Sequence, residues 1–223
     1  MNQVKTLIIK FEGELKNHEI PQFRGAVISA VGGDILFHNH DGDGYRYSYP
    51  LIQYKKIGGS PSIVCVGQGV ENIGKLFESG NFTFQIGTDI RQMDILSVKA
   101  NKINVQLWES TFRYSLKKWL PLNPDNYRTY NALTSLDDKR HLLENILRGN
   151  ILSFLKGIGI FLDGELKCTI TELSTPYVLK YKGVGMTTFD AVFSTNLSIP
   201  TFIGIGKNAA LGFGTVKGIS HQI

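Results

Sequence analysis

Apolar residues recur in this chain mostly as short β-type runs, and only a few stretches carry the 3.6-residue spacing of a helix. Val4 to Phe11 reads as a strand. Pro21 to about Val31 has helical spacing through Phe23, Val27, Ile28 and Ala30-Val31. Pro21 suits a first helical turn and Gly32-Gly33 a helix end. Leu51 to Lys56 and Pro61 to Val66 predict two strands joined by the turn Gly58-Gly59-Ser60. Val70 to Phe77 predicts a helix and Phe82 to Ile86 a strand. Asp94 to Trp108 predicts a hairpin with Asn101-Lys102 at its turn. The order β-α-β-β-α-β is that of a ferredoxin-like unit, whose antiparallel sheet needs helices on one face only.

The second half repeats the theme less cleanly. Phe112 to Trp119 predicts a strand. Leu136 to Leu155 is the longest helical pattern, with Leu142, Leu143, Ile146, Leu147, Ile151, Leu152 and Leu155 in step. Leu166 to Glu172, Tyr177 to Tyr181, Met186 to Ser194 and Thr215 to Ile219 predict strands, and no second helix stands out. The expected architecture is α+β: tandem ferredoxin-like modules, residues 1–108 and 109–223, the second distorted and carrying a glycine-rich loop.

A length of 223 residues suits one large domain or two smaller ones, and 42% apolar with 19% charged residues excludes a disordered chain. The net charge of +5 and pI of about 9.1 are compatible with a nucleic-acid partner and equally with ordinary solubility charge. The only cysteines, Cys65 and Cys168, sit in apolar or β-rich runs and read as core residues. No leader-like apolar segment opens the sequence and no run of roughly 18 apolar residues occurs, so a cytoplasmic protein without a membrane partner is expected.

Two motifs carry candidate chemistry. The first is Gly204-Ile205-Gly206-Lys207-Asn208-Ala209-Ala210-Leu211-Gly212-Phe213-Gly214, two Gly-apolar-Gly triplets five residues apart. Glycines admit φ > 0 and close backbone approach, and such a loop suits a polyanion. Gly206-Lys207 is followed by Asn208, against a Walker A loop. Too few residues follow Gly214 for a Rossmann unit. A glycine-rich turn with a purely packing role stays open.

The second motif is Phe37-His38-Asn39-His40-Asp41-Gly42-Asp43-Gly44. Histidines at i and i+2 converge only in an irregular loop. Metal ligation with Asp41 and Asp43, simple solvation, and general acid–base work near pH 7 are the three readings. Tyr45 to Lys56 follows, with four tyrosines and three cations in twelve residues. This composition suits stacked single-stranded RNA and also an ordinary strand.

With both motifs in this order, the chain resembles the CRISPR-associated repeat-RNA processing endoribonucleases of the RAMP superfamily. The resemblance rests on the glycine loop with Lys207 and on a helix ending in a histidine-bearing loop before Tyr49-Pro50-Leu51-Ile52-Gln53-Tyr54-Lys55. It implies cleavage of CRISPR repeat RNA without metal or other cofactor, by attack of a ribose 2′-OH on the adjacent phosphate. In that scheme His40, aided by His38, moves protons, Tyr47 offers a hydroxyl donor, and Lys55 stabilises charge. RNA contacts are implied for Gly204, Gly206, Lys207, Asn208, Gly212 and Gly214, with Arg46 and Lys56. The implied partners are CRISPR repeat RNA and other CRISPR-associated proteins, with monomer and homodimer both open. The rival readings are a non-catalytic RNA-binding RAMP subunit and, more distantly, a small metallohydrolase.

Overall fold

A computed structural model describes residues 2–32 and 49–219. The chain forms two compact units. The first comprises Gln3–Ile103 with Ala210–Gly212, and the second Asn104–Ala209 with Asn2 and the chain from Phe213.

The first unit runs β1 (Gln3–Phe11), α1 (Ile20–Ala30), β2 (Ile52–Ile57), β3 (Ser60–Val66), two short helices α2 (Gly69–Asn72) and α3 (Gly74–Ser79), a small hairpin of β4 (Thr83–Ile86) and β5 (Asp89–Gln92), and β6 (Ile95–Asn104). The sheet order is β2-β3-β1-β6. If β6 is counted as the fourth ladder strand, this is the 4-1-3-2 order of the ferredoxin-like fold. Strand alternation sends Leu7, Ile9 and Phe11 to one face with Ile63 and Cys65. There Phe23 of α1 makes edge contacts with Phe11 (5.8 Å), Tyr54 (6.0 Å) and Phe84 (5.7 Å). Truncating such a fully buried ring costs about 3–5 kcal/mol.

Two expectations are corrected here. Asn101-Lys102 is not a turn: β6 runs straight through it. A two-residue hairpin turn needs φ > 0 at its centre, and lysine supplies no preference for it. The helix expected over 70–77 is two pieces meeting at Ile73, where Asn72 and Gly74 are weak helix formers. Gly69 opens the first piece because a Cβ there would run into the Leu51 backbone.

The second unit runs β7 (Leu107–Trp119), α4 (Pro124–Ala132), α5 (Leu136–Gly157), β8 (Cys168–Leu173), β9 (Tyr177–Tyr181), β10 (Val184–Leu197) and β11 (Thr215–Gly218). Its sheet order, β11-β7-β10-β8 with β9 on β10, repeats the first unit's order. Helix α5 is capped by the Ser135 hydroxyl, which accepts from the amides of Asp137 and Asp138. It buries Leu143, Leu147, Ile151, Phe154 and Leu155. The chain between β10 and β11, where the second helix of the fold belongs, holds the glycine-rich loop and one 3-10 turn, Ala209–Leu211. Helix α4 is an addition that the sequence pattern did not reveal. No helix among the described residues is long and apolar enough to cross a membrane.

Candidate functional site

In the first unit, strand β2 places polar groups on the sheet face opposite α1. Its register pairs Ile52 with Cys65 and Tyr54 with Ile63, which fixes Tyr54 on the core side. Gln53 and Lys55 therefore point to the other face, with Ser62 and Thr6. Gln53 and Ser62 are fully buried, and Lys55 is 1% exposed. Gln53 donates to Tyr49 Oη (2.8 Å) and to the Pro50 carbonyl (2.9 Å), folding the preceding segment onto the strand. Ser62 faces Lys55 on one side and Lys10 of β1 on the other, so Lys55, Ser62 and Lys10 form one row across three strands. Burial brings the Lys55 amine down to about 7. A lysine in that state exchanges its proton near neutral pH, unlike a surface lysine.

Neither described tyrosine of the tyrosine-rich stretch offers a face for stacking. Tyr54 is fully buried against Phe23, and Tyr49 is buried beside Gln53. Burial pushes both phenols up. The alternation that exposes one face of a strand hides the other, so these rings serve packing. The Tyr54 hydroxyl is buried without a hydrogen-bond partner among the described residues. Lys56 is exposed. His38, His40, Arg46 and Tyr47 lie outside the described residues.

The glycine loop is built by two backbone layers. The Phe202 amide donates to the Val216 carbonyl (2.6 Å), Val216 to Ile203 (2.8 Å) and Ile205 to Gly214 (2.8 Å), so the two triplets lie against each other. A Cβ at Gly204 would meet Ala209 at 2.8 Å, and one at Gly214 (φ +59°) would strike the Ile205 carbonyl. A Cβ at Gly206 (φ +90°) would stand 2.7 Å from Asn150 Oδ1 and 3.2 Å from the Trp119 indole nitrogen. That indole donates to Asn150 Oδ1 at 3.0 Å. These glycines are thus set by close packing. Between them the exposed Lys207 lies at the tip, flanked by the left-handed Gly206 and Asn208 (φ +58°). Lys207 also rims a groove with Tyr127, Val178, Val184 and Met186. Ala210–Gly212 belongs to the first unit, where a Cβ at Gly212 would lie 3.3 Å from Ile20 Cδ1, 3.6 Å from the Tyr54 carbonyl and 3.8 Å from Lys55 Cα. Gly212 and Lys55 are therefore neighbours.

The sequence reading missed Gln53, Ser62 and Lys10, which strand register alone brings beside Lys55. It also missed Trp119 and Asn150, which lie far from the loop in sequence.

Two ferredoxin-like units in tandem, the second with a glycine loop in place of a helix, give this chain the fold of Cas6 proteins. The chain belongs to the Cas6b family: residues 2–104 match the Cas6b N-terminal domain and residues 106–219 the Cas6b C-terminal domain. It is 38% identical over 109 residues, 48% of this chain and 73% of the other, to an uncharacterized protein of Methanocaldococcus jannaschii. A crystal structure of Cas6b is similar over 97% of this chain and 100% of its own, with 26% identity and a TM-score of 0.85. A second, described as the CRISPR RNA processing endoribonuclease Cas6b, has 27% identity over the same shares and a TM-score of 0.74. A type IV Cas6 crRNA endonuclease, at 11% identity and a TM-score of 0.56, shares the fold.

Proposed function

We propose that this chain cuts CRISPR repeat transcripts into guide RNAs by intramolecular transesterification. The observation that carries the reading is the Cas6b match over both halves of the chain, residues 2–104 and 106–219. Lys55 beside Gly212 adds to it.

The ribose 2′-oxygen attacks the adjacent phosphorus, and the bond from phosphorus to the 5′-oxygen breaks. A base takes the 2′-OH proton and an acid returns one to the leaving 5′-oxygen. A 2′,3′-cyclic phosphate and a 5′-OH remain. His40 with His38 fits the proton transfers, because imidazole titrates near neutrality. Tyr47 fits a hydroxyl donor. Lys55 fits the charge that builds on the phosphate, since an approaching anion favours its protonated form. Lys207 at the loop tip, with Arg46 and Lys56, fits phosphates along the strand. Gly204, Gly206, Asn208, Gly212 and Gly214 shape the backbone that presents Lys207. The RNA is the primary partner. Because the nucleophile is internal, the reaction needs no metal-bound water.

The test is cleavage of the cognate repeat RNA in excess EDTA. Undiminished cutting, its loss when the cut-site 2′-OH is replaced by hydrogen, and a fall of roughly 10²–10⁴ in single-turnover rate for His40→Ala are expected. Loss of cutting in EDTA with recovery on adding magnesium or zinc refutes the mechanism.

A further inference from the structure

Strand β7 carries a β-bulge directly beneath the glycine loop. Between the register pairs Leu116–Ala191 and Trp119–Phe189, β7 has two residues, Lys117 and Lys118, where β10 has only Asp190. Bulges of this kind bend a strand and re-aim the side chains beyond it. Lys118 adopts φ +53°, a region that residues with a Cβ enter at an energetic cost.

Asp190 holds that conformation. Its Oδ1 accepts from the Lys118 amide (2.8 Å) and from Tyr177 Oη (3.0 Å), and its Oδ2 accepts from Lys117 Nζ (3.0 Å). Its own backbone is fastened to Ser174: the Asp190 amide donates to Ser174 Oγ (2.9 Å) and the Ser174 amide to the Asp190 carbonyl (2.8 Å). The Lys117 pair is surface-exposed on the lysine side and contributes little by itself. The bond that fixes geometry is the one to the Lys118 amide.

Both ends of the glycine loop rest on this bulge. The Lys118 carbonyl accepts from the Gly214 amide at 3.0 Å. The next residue, Trp119, is fully buried and gives its indole N–H to Asn150, and that pair fills the space above Gly206. One carboxylate therefore sets one residue's φ, and that residue and its neighbour define where the loop begins and ends.

We propose that Asp190 is a positioning residue for RNA binding, acting through the Lys118 bulge to hold the glycine loop in its RNA-binding shape. This rests on the reading of that loop as an RNA-binding element.

The experiment measures affinity for repeat RNA carrying deoxyribose at the cut site, together with the indole ¹⁵N–H resonance of Trp119 in RNA-free protein. Asp190→Ala should weaken binding roughly tenfold, the ratio set by about 1.4 kcal/mol, and shift the Trp119 resonance. Asp190→Asn keeps the acceptor for the Lys118 amide while discarding the charge, and should recover most of the affinity. The deciding variant is Asp190→Ala with Lys118→Gly. Glycine takes the left-handed conformation without a clamp, so the double variant should bind as tightly as Lys118→Gly alone. If Asp190→Ala fails to fold, the double variant should still fold and meet that standard. Wild-type affinity in Asp190→Ala, or a double variant that is unfolded or no tighter than Asp190→Ala, overturns the proposal. Failure of the loop reading is separate: there Lys207→Ala binds RNA like wild type at every salt concentration.

Discussion

Replacing Lys55 with methionine should stabilise the protein and impair its chemistry. The side chain is 1% exposed, and burial lowers its pKa from 10.5 to about 7. At about 1.4 kcal/mol per tenfold, that gap makes the charged amine about 5 kcal/mol more costly in the folded chain than in the unfolded one. Methionine has nearly the same length, no charge, and adapts to irregular space. Deducting about 1–2 kcal/mol for the interaction that Lys55 makes in the fold leaves an expected gain of about 2–4 kcal/mol at pH 7. The pH dependence carries the stronger test. Between pH 7 and 10.5 the unfolded lysine holds its proton and the folded one has lost it, so wild-type stability rises with pH across this window. The advantage of Lys55→Met should therefore be largest below pH 7, fall to about nothing by roughly pH 9–10, and become a deficit of about 1 kcal/mol near pH 10.5. Urea unfolding followed by tryptophan fluorescence from pH 6 to pH 10 reads both quantities. A methionine variant less stable than wild type at pH 7, or a difference that does not change with pH, refutes the reasoning. A confirmed gain with loss of cleavage identifies Lys55 as a residue kept for function at the expense of stability.

Lys207→Ala should reduce the slope of log affinity against log salt by about 0.7, one phosphate contact on a single strand, as seen in filter binding from low to moderate salt. Gly214→Ala should lower stability by at least about 2 kcal/mol in urea titration, because its φ is +59° and its Cβ strikes the Ile205 carbonyl. The Glu19 carboxylate is held at about 2, first by the hydrogen bond from Arg91 (2.7 Å) and then by the Lys16 amide. Its depressed pKa contributes stability that is complete above the ordinary carboxylate range and is lost as pH falls towards 2. Glu19→Gln should flatten the acid limb of a melting-temperature profile over that interval.

The first unit's strand order was legible because its signals are local. Short β-type apolar runs mark β1 to β3, and Gly58-Gly59, both with φ > 0, marks the turn between β2 and β3. Helix α5 declared itself by a long apolar stripe. Helix α4 did not, since none of its residues is buried and periodicity has nothing to report. Its only trace is Asn123-Pro124, a cap whose Oδ1 accepts from the Asn126 amide ahead of a first-turn proline. The hairpin expected at Asn101-Lys102 failed because an exposed edge strand is polar at most positions, which imitates a turn. The glycine pattern marked a closely packed loop, but the partners that crowd Gly206 come from β7 and α5. Lys55 was legible as a cation. Its burial follows from register, which no single segment encodes.

The missing second helix of the second unit has a consequence for how the protein folds. A helix in that position would close its own hydrogen bonds a few residues at a time. The glycine loop instead depends on a bond between Lys118 and Gly214, roughly a hundred residues apart in the chain, and has almost no local structure to nucleate it. Its assembly must wait until β7, β10 and β11 have come together. The glycine loop is therefore a late product of sheet formation, and the Gly214 amide should resist hydrogen exchange only as long as that sheet survives.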